Sequence, residues 1–263
     1  MKPELDTEDR EFLAAIYKAK KLQTVGIEPL VGLVASRSKK ISEAYKAVTD
    51  YIYLMQLMKE LRVKGSVAIR LMHLGLERAQ SECFENLKTI IREAKNSNIF
   101  LWLETDSAEF TKQALQIYLL GMREYKKMGV IVKANLKRSE DDIKKLLTKK
   151  SVICLMKGIY QEDEDLAYQE KKEIDDNYSH LMKILFEKSD HFAIATHDKK
   201  MIKKAIQMNK KHNKDIEFQF FAGMGSWKKK LRKEGYKVGE YTHLGKEWFP
   251  SFWQRVTGRK NHI

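Results

Sequence analysis

The sequence predicts an α/β chain folded as a (β/α)8 TIM-like barrel, and three features of the 263 residues carry that prediction. Eight short apolar runs recur along the chain, each followed by a longer amphipathic segment. Several runs lack the apolar/polar alternation of a half-exposed strand, as expected of strands buried on both faces. The length suits one barrel, with no low-complexity linker and no second domain, so residues 1–263 read as a single unit.

The first 25 or so residues read as a helix packed against the barrel as a plug. The eight runs then follow in order: Leu30–Ala35, Ser66–Leu71, Ile99–Glu104, Val130–Ala134, Val152–Met156, Phe192–Thr196, Ile216–Phe221 and Lys237–Thr242. Each is too short for a helix. Helical patterns lie between them, as at Glu43–Leu61 and Ala108–Met128, and Gly129 reads as the stop of the second. Pro250 suits the first turn of a last helix over Ser251–Arg259, placed over the barrel mouth. A doubly wound open sheet is the rival topology for the same alternation.

Composition narrows the class. At 43% hydrophobic residues and three prolines the chain is neither disordered nor collagen-like. Cys83 and Cys154 stand far apart without a CxxC partner, which argues for a reducing, cytoplasmic compartment and against a disulfide framework. No run approaches the roughly 18 apolar residues of a membrane span, and the polar, acidic start is unlike a secretory signal. The net charge of +14 comes mainly from lysines that read as spread along the chain. Without arginines and aromatics gathered on one element, nucleic acid is an unexpected partner, while weak peripheral contact with an anionic inner membrane stays open.

Active sites of such barrels lie at the carboxyl ends of the strands. Those ends carry Arg70, Glu104, Lys133, Lys157, His197, Gln219 and Tyr241. Ionisable groups at an apolar mouth call for ligands, partners or water. Lys157-Gly158 offers an ammonium and a backbone N–H to an anion, or is simply a strand end and its turn. Thr196-His197 puts a hydroxyl beside an imidazole, which suits a cofactor contact, acid–base work or a structural hydrogen bond. Metal-ligand spacings such as HExxH are absent, and the lone GMG at Gly223–Gly225 is too weak for a dinucleotide fingerprint. Arg255 at the end of the aromatic stretch is placed to fork onto a carboxylate if that stretch caps the mouth.

Five collinear segments resemble the FAD-dependent proline dehydrogenases of the monofunctional bacterial and archaeal type. They are AIRLMHLGL (68–76), LMKGIYQE (155–162), ATHD (195–198), EFQFFAGMG (217–225) and YTHLGKEWFPSFWQR (241–255). The resemblance as a whole spans roughly residues 25 to 256, and matches in series are far more specific than any alone. The resemblance implies FAD at the mouth of a distorted barrel, oxidation of L-proline to Δ1-pyrroline-5-carboxylate, and transfer of the electrons to a quinone or another acceptor. It carries Lys157, Gly158, Ile159, Thr196, His197 and Phe221 over as flavin contacts, and Cys154 and Lys133 as the residues standing at flavin-side positions. Arg70 and Arg255 carry over as the clamp on the substrate carboxylate, Tyr241 as a pocket wall, and Ser251 and Gln254 as substrate-pocket positions.

Six positions depart from the family pattern. Cys154 replaces an arginine beside the flavin, Trp102 an aspartate, and Lys133 a glutamine whose replacement restores positive charge nearby. Ser251 replaces a tyrosine, Gln254 the first arginine of a pair, and Gly258 stands near a glutamate position. With Ser251 and Gln254 enlarging the pocket and removing a bidentate donor, the expected substrate is L-proline or a related amino acid, and the alternative is a non-catalytic member serving as a binding or partner subunit.

Overall fold

In the computed structural model the described residues are 7–33, 37–105, 107–158 and 162–244. Eight parallel strands close into a barrel in sequence order: β1 (Glu28–Leu33), β2 (Ser66–Arg70), β3 (Phe100–Glu104), β4 (Met128–Lys133), β5 (Val152–Met156), β6 (His191–Ala195), β7 (Asp215–Phe220) and β8 (Lys237–Leu244). β8 pairs with β1 from Glu28↔Gly239 to Leu33↔Leu244, which removes both sheet edges and excludes the open-sheet rival. The predicted strands all exist, with bounds shifted by one or two residues at most of their ends.

Seven helices follow the first seven strands: α2 (Ile41–Glu60), α3 (Gln80–Ser97), α4 (Thr111–Glu124), α5 (Ser139–Thr148), α6 (Lys171–Lys188), α7 (Lys199–His212) and α8 (Gly225–Lys233). Ahead of them, α1 (Thr7–Thr24) packs on β1 and β8. Its Phe12, Ile16 and Ala19 share the outer apolar layer with Val31 and Leu33. It therefore covers the wall at the β8/β1 seam, as a wall helix and not a plug. The predicted helix over the mouth lies outside the described residues, as do Ile159, Ser251, Gln254, Arg255 and Gly258.

Two apolar layers explain why the strands read as continuous runs. One set of alternate residues, among them Ile69, Leu103, Val130, Leu155, Ile194 and Phe218, points outward beneath the helices. The other set points inward: Leu30, Ala68, Trp102, Ile131, Cys154 and Ala193 form a separate inner cluster. With both faces dry, alternation disappears from the sequence.

Gly129 is a strand residue and not a helix stop. α4 ends at Glu124 with Tyr125 extended, and Gly129 sits in β4 opposite Trp102. A Cβ at 129 would overlap the indole, so the glycine vacates space for the ring. Trp102 is 2% exposed and packs on Phe100 at 5.0 Å between centroids. It fills the barrel interior below the mouth and leaves the mouth open.

Candidate active site

A cavity of about 310 Å³ opens at the carboxyl ends of the strands. Its apolar wall comes from Leu30, Ile131, Met156, Ala195, Phe220 and Phe221. Its polar wall comes from β5 to α7 and from the barrel interior: Lys157, Gly158, Lys171, Thr196, His197, Asp198, Gln219 and Tyr241. An apolar slot with a few convergent polar groups is the usual build of a small-ligand site.

The β5 end is fixed by backbone geometry. Gly158 has φ +91°, and a Cβ there would also overlap the amide of Asn135, so only glycine fits on two counts. Asn135 is buried, and its Oδ1, aimed at Gly158, accepts no hydrogen bond among the described residues. Lys157 reaches sideways along the rim, where its ammonium pairs with Asp175 of α6 and with Asp198 at 2.8 Å. Burial alone would raise both carboxyls; hydrogen bonds from Lys157, with Lys171 on Asp175 and the α7 backbone on Asp198, outweigh it and hold both below the ordinary range. The ammonium expected to meet a ligand anion is thus already shared by two carboxylates.

At the β6 end, Thr196 Oγ1 accepts the Asp198 N–H at 3.0 Å, and Asp198 caps α7 by accepting the Lys200 N–H at 2.8 Å. His197 Nε2 accepts the Phe221 N–H at 3.1 Å, so the neutral ring carries its proton on Nδ1. Burial, and then the charge of Lys228, lower its pKa, which keeps the ring neutral at physiological pH. This bond ties the β6 end to the β7 end and sets Phe221, whose ring lies 5.4 Å from that of Tyr241.

On the opposite side, Arg70, Glu104 and Tyr241 form one group. Arg70 and Glu104 face each other across β2 and β3, with Nε 3.8 Å from the carboxylate. Burial, and then the Glu104 carboxylate, push the Tyr241 hydroxyl well above its usual range, against the pull of Arg70. The phenol stays protonated and hydrogen-bonds Glu104. Gly32 makes room for it, since a Cβ there would overlap the hydroxyl.

Beneath the cavity runs a polar chain. Gln219 Nε2 donates to Glu217 at 3.1 Å, and the Cys154 thiol donates to Gln219 Oε1 at 3.3 Å. Burial, followed by the charges of Glu217 and Glu104, holds the Cys154 thiol well above its ordinary pKa. It is an inert interior thiol with no wall on the cavity. Lys133 is paired: its ammonium lies 3.5 Å from Glu162, with the two side chains 5% and 11% exposed. Its charge is balanced there, so the positive charge expected of Lys133 beside the ring is met by a carboxylate.

Of the residues named from the sequence, the cavity gathers Lys157, Gly158, Thr196, His197, Gln219, Phe221 and Tyr241, and Arg70 joins through Glu104 and Tyr241. Sequence reasoning missed Asp175 and Glu162 as partners of the site lysines, and Lys171 as the second cation on Asp175. Glu162 closes the LMKGIYQE segment, which was a signal; Asp175 lies mid-helix among other charges and gave none.

Residues 15–247 match the sequence profile of the proline dehydrogenase family. Proline dehydrogenase 2 of Bacillus subtilis strain 168 is 27% identical over 257 residues, covering 96% of this chain and 85% of the relative. Proline dehydrogenase 1 of Bacillus subtilis subsp. natto is 26% identical over 250 residues, covering 94% and 83%. Among solved structures, proline utilization A from Bdellovibrio bacteriovorus, inactivated by N-propargylglycine, superposes with a TM-score of 0.81 at 20% identity over 89% of this chain. Proline utilization A from Corynebacterium freiburgense gives 0.76 at 16% identity over 95%. This chain spans 30% of the length of each of those two proteins, and at such identities they attest the barrel alone. Because the profile match runs through every strand from β1 to β8, the chain belongs to the proline dehydrogenase family.

Proposed function

We propose that this protein oxidises L-proline or a closely related amino acid to Δ1-pyrroline-5-carboxylate in proline catabolism, using FAD at the barrel mouth. The observation that carries the reading is the cavity itself: an apolar slot at the strand ends, with hydrogen-bonding groups on one wall and the Arg70–Glu104–Tyr241 group beside it. The residues fit an isoalloxazine ring. Gly158 brings bare backbone to the rim, and no side chain intrudes there because none fits. Thr196, His197 and Gln219 supply polar contacts at the edge of an otherwise apolar floor.

FAD, which Gly158, Thr196, His197 and Phe221 would hold at the mouth, would supply a two-electron sink for oxidation of the substrate's carbon–nitrogen bond. The chain's own residues bind and orient. Arg70 offers a guanidinium to the substrate carboxylate, with Arg255 as the second cation by its motif position. Glu104 holds both Arg70 and the Tyr241 hydroxyl, so two pocket groups share one orienting carboxylate. Phe221 and Tyr241 exclude water from the slot. The electrons then pass to a quinone or another acceptor. A quinone acceptor makes weak peripheral contact between a cytoplasmic protein and the membrane part of this reading.

Visible absorption of the purified protein tests it. Flavin bands that bleach on adding proline are the expected result. Colourless protein that stays unresponsive to added FAD would end the catalytic reading and favour a non-catalytic binding role. Arg70→Gln should raise KM for the amino acid roughly tenfold to a hundredfold, the worth of one charge-assisted hydrogen bond. An unchanged KM would remove Arg70 from the clamp.

A further inference from the structure

The positive charge is not spread evenly. Between residues 199 and 233 twelve lysines and arginines stand against two acidic residues, a surplus of ten out of the chain's net fourteen. The fold puts that stretch on two helices. Six of the fourteen residues of α7 are lysine, and five of the nine of α8 are lysine or arginine, with no acidic residue in either helix. Apart from Lys228, which is buried against Glu240, these side chains are solvent-exposed. The two helices flank β7 at successive positions around the barrel, and their first turns lie at the cavity end. Asp198, the N-cap of α7, is itself a cavity residue.

We propose that the α7–α8 face is an electrostatic docking surface for an anionic phospholipid bilayer. It deepens the membrane-acceptor reading above and rests on that reading for its purpose, not for its physical basis. Three observations select lipid over other polyanions. All but one of the cations on the two helices are lysines, compact hydrated charges suited to diffuse attraction and lacking the planar fork that reads phosphodiesters and bases. Among the described residues the exposed large apolar side chains are Tyr17, Val25, Ile41, Tyr45 and Leu166, none on this face. A protein partner would need an apolar centre there. Trp227, the aromatic of α8, is half-buried with the Lys230 ammonium 5.2 Å over its ring, so it does not stand out as a stacking platform for bases.

The full-length protein is sedimented with vesicles of phosphatidylcholine alone, or of equal parts phosphatidylcholine and phosphatidylglycerol. Binding is expected to the anionic vesicles only, and to be lost at about 0.5 M salt, where screening shortens to a few ångströms. The quadruple variant Lys203→Gln, Lys211→Gln, Lys229→Gln, Lys233→Gln should bind them on the order of a hundredfold more weakly, each surface lysine contributing a factor of several. A control removing four exposed lysines elsewhere, Lys95→Gln, Lys112→Gln, Lys126→Gln, Lys149→Gln, should lose far less. Far-UV circular dichroism checks that both variants fold. Equal loss in the two variants, equal binding to neutral vesicles, or binding to duplex DNA without binding to anionic vesicles would each overturn the proposal. Vesicle binding without flavin bleaching by proline would leave the docking face standing and sink the catalytic reading instead.

Discussion

Glu217→Gln is the sharpest test of the polar chain inside the barrel. Glu217 points inward from β7 with Oε1 only 2.7 Å from where a Cβ on Gly239 would stand, and Gln219 is its hydrogen-bond donor. Burial first, and the charge of Glu28 second, lift its pKa from 4.5 to about 7, against the pull of Gln219 and Lys237. In the folded state the carboxyl thus holds a proton that the unfolded chain releases near pH 4.5. Stability from this group is present below that value and falls as pH rises through about 7. At about 1.4 kcal/mol per pKa unit the loss between pH 4.5 and 8 is of order 2–3 kcal/mol, allowing for residual hydration. Glutamine keeps an acceptor for Gln219 and never ionises. Urea unfolding at pH 5, 6, 7 and 8 should show the variant gaining on the parent by that amount across the series. A difference that stays constant to within about 0.5 kcal/mol, the ordinary scatter of a neutral substitution, would refute a buried proton at 217.

Other substitutions probe the wall and the mouth. Lys228→Met strands the Glu240 carboxylate in the wall between α8 and β8, where the two partners are 6% and 8% exposed. It should cost about 3–5 kcal/mol by urea unfolding, with most of that recovered in Lys228→Met/Glu240→Leu. Failure of the double variant to recover would mean the pair does more than balance charge. Gly158→Ala meets both a positive φ and Asn135; it should destabilise the fold by about 1–2 kcal/mol and weaken FAD binding in a fluorescence titration, and a variant as stable as the parent would remove the glycine argument. Trp102→Ala empties the interior beside Gly129 and should cost about 3–5 kcal/mol, while leaving flavin binding intact because the ring lies below the cavity. Loss of flavin at unchanged stability would place the indole in the site.

The barrel was legible because its physics is local. A strand dry on both faces needs a short apolar run, and the crossover to a parallel neighbour needs a helix after it, so the alternation of runs such as Val152–Met156 and Phe192–Thr196 with amphipathic segments records parallel β/α units, and their number suits a barrel. The glycine of the site was legible for the same kind of reason, since Lys157-Gly158 ends a buried run at a turn. Pairing was not. Lys157 finds Asp175 and Asp198 at 18 and 41 positions' remove and Lys133 finds Glu162, each between neighbouring strand ends, and only barrel closure brings Tyr241 to the Glu104 that Arg70 shares. A lysine's sequence neighbours do not tell which carboxylate will stand beside it, so charges that looked available for ligand proved to be spent on partners.

The sequence by itself determined the layers, the succession of strands and helices along the chain and the identity of the residues at the strand ends, because burial on one or two faces leaves its period in the chain, while closure of the sheet was decided by β8 meeting β1. Only the tertiary structure decided that Gly129 makes room for Trp102, that Cys154 is an interior thiol, that α1 covers a seam, and that the basic stretch from 199 to 233 stands exposed on two adjacent helices. Those are facts of which surfaces meet, and such meetings depend on distances between strands and helices that no stretch of sequence contains.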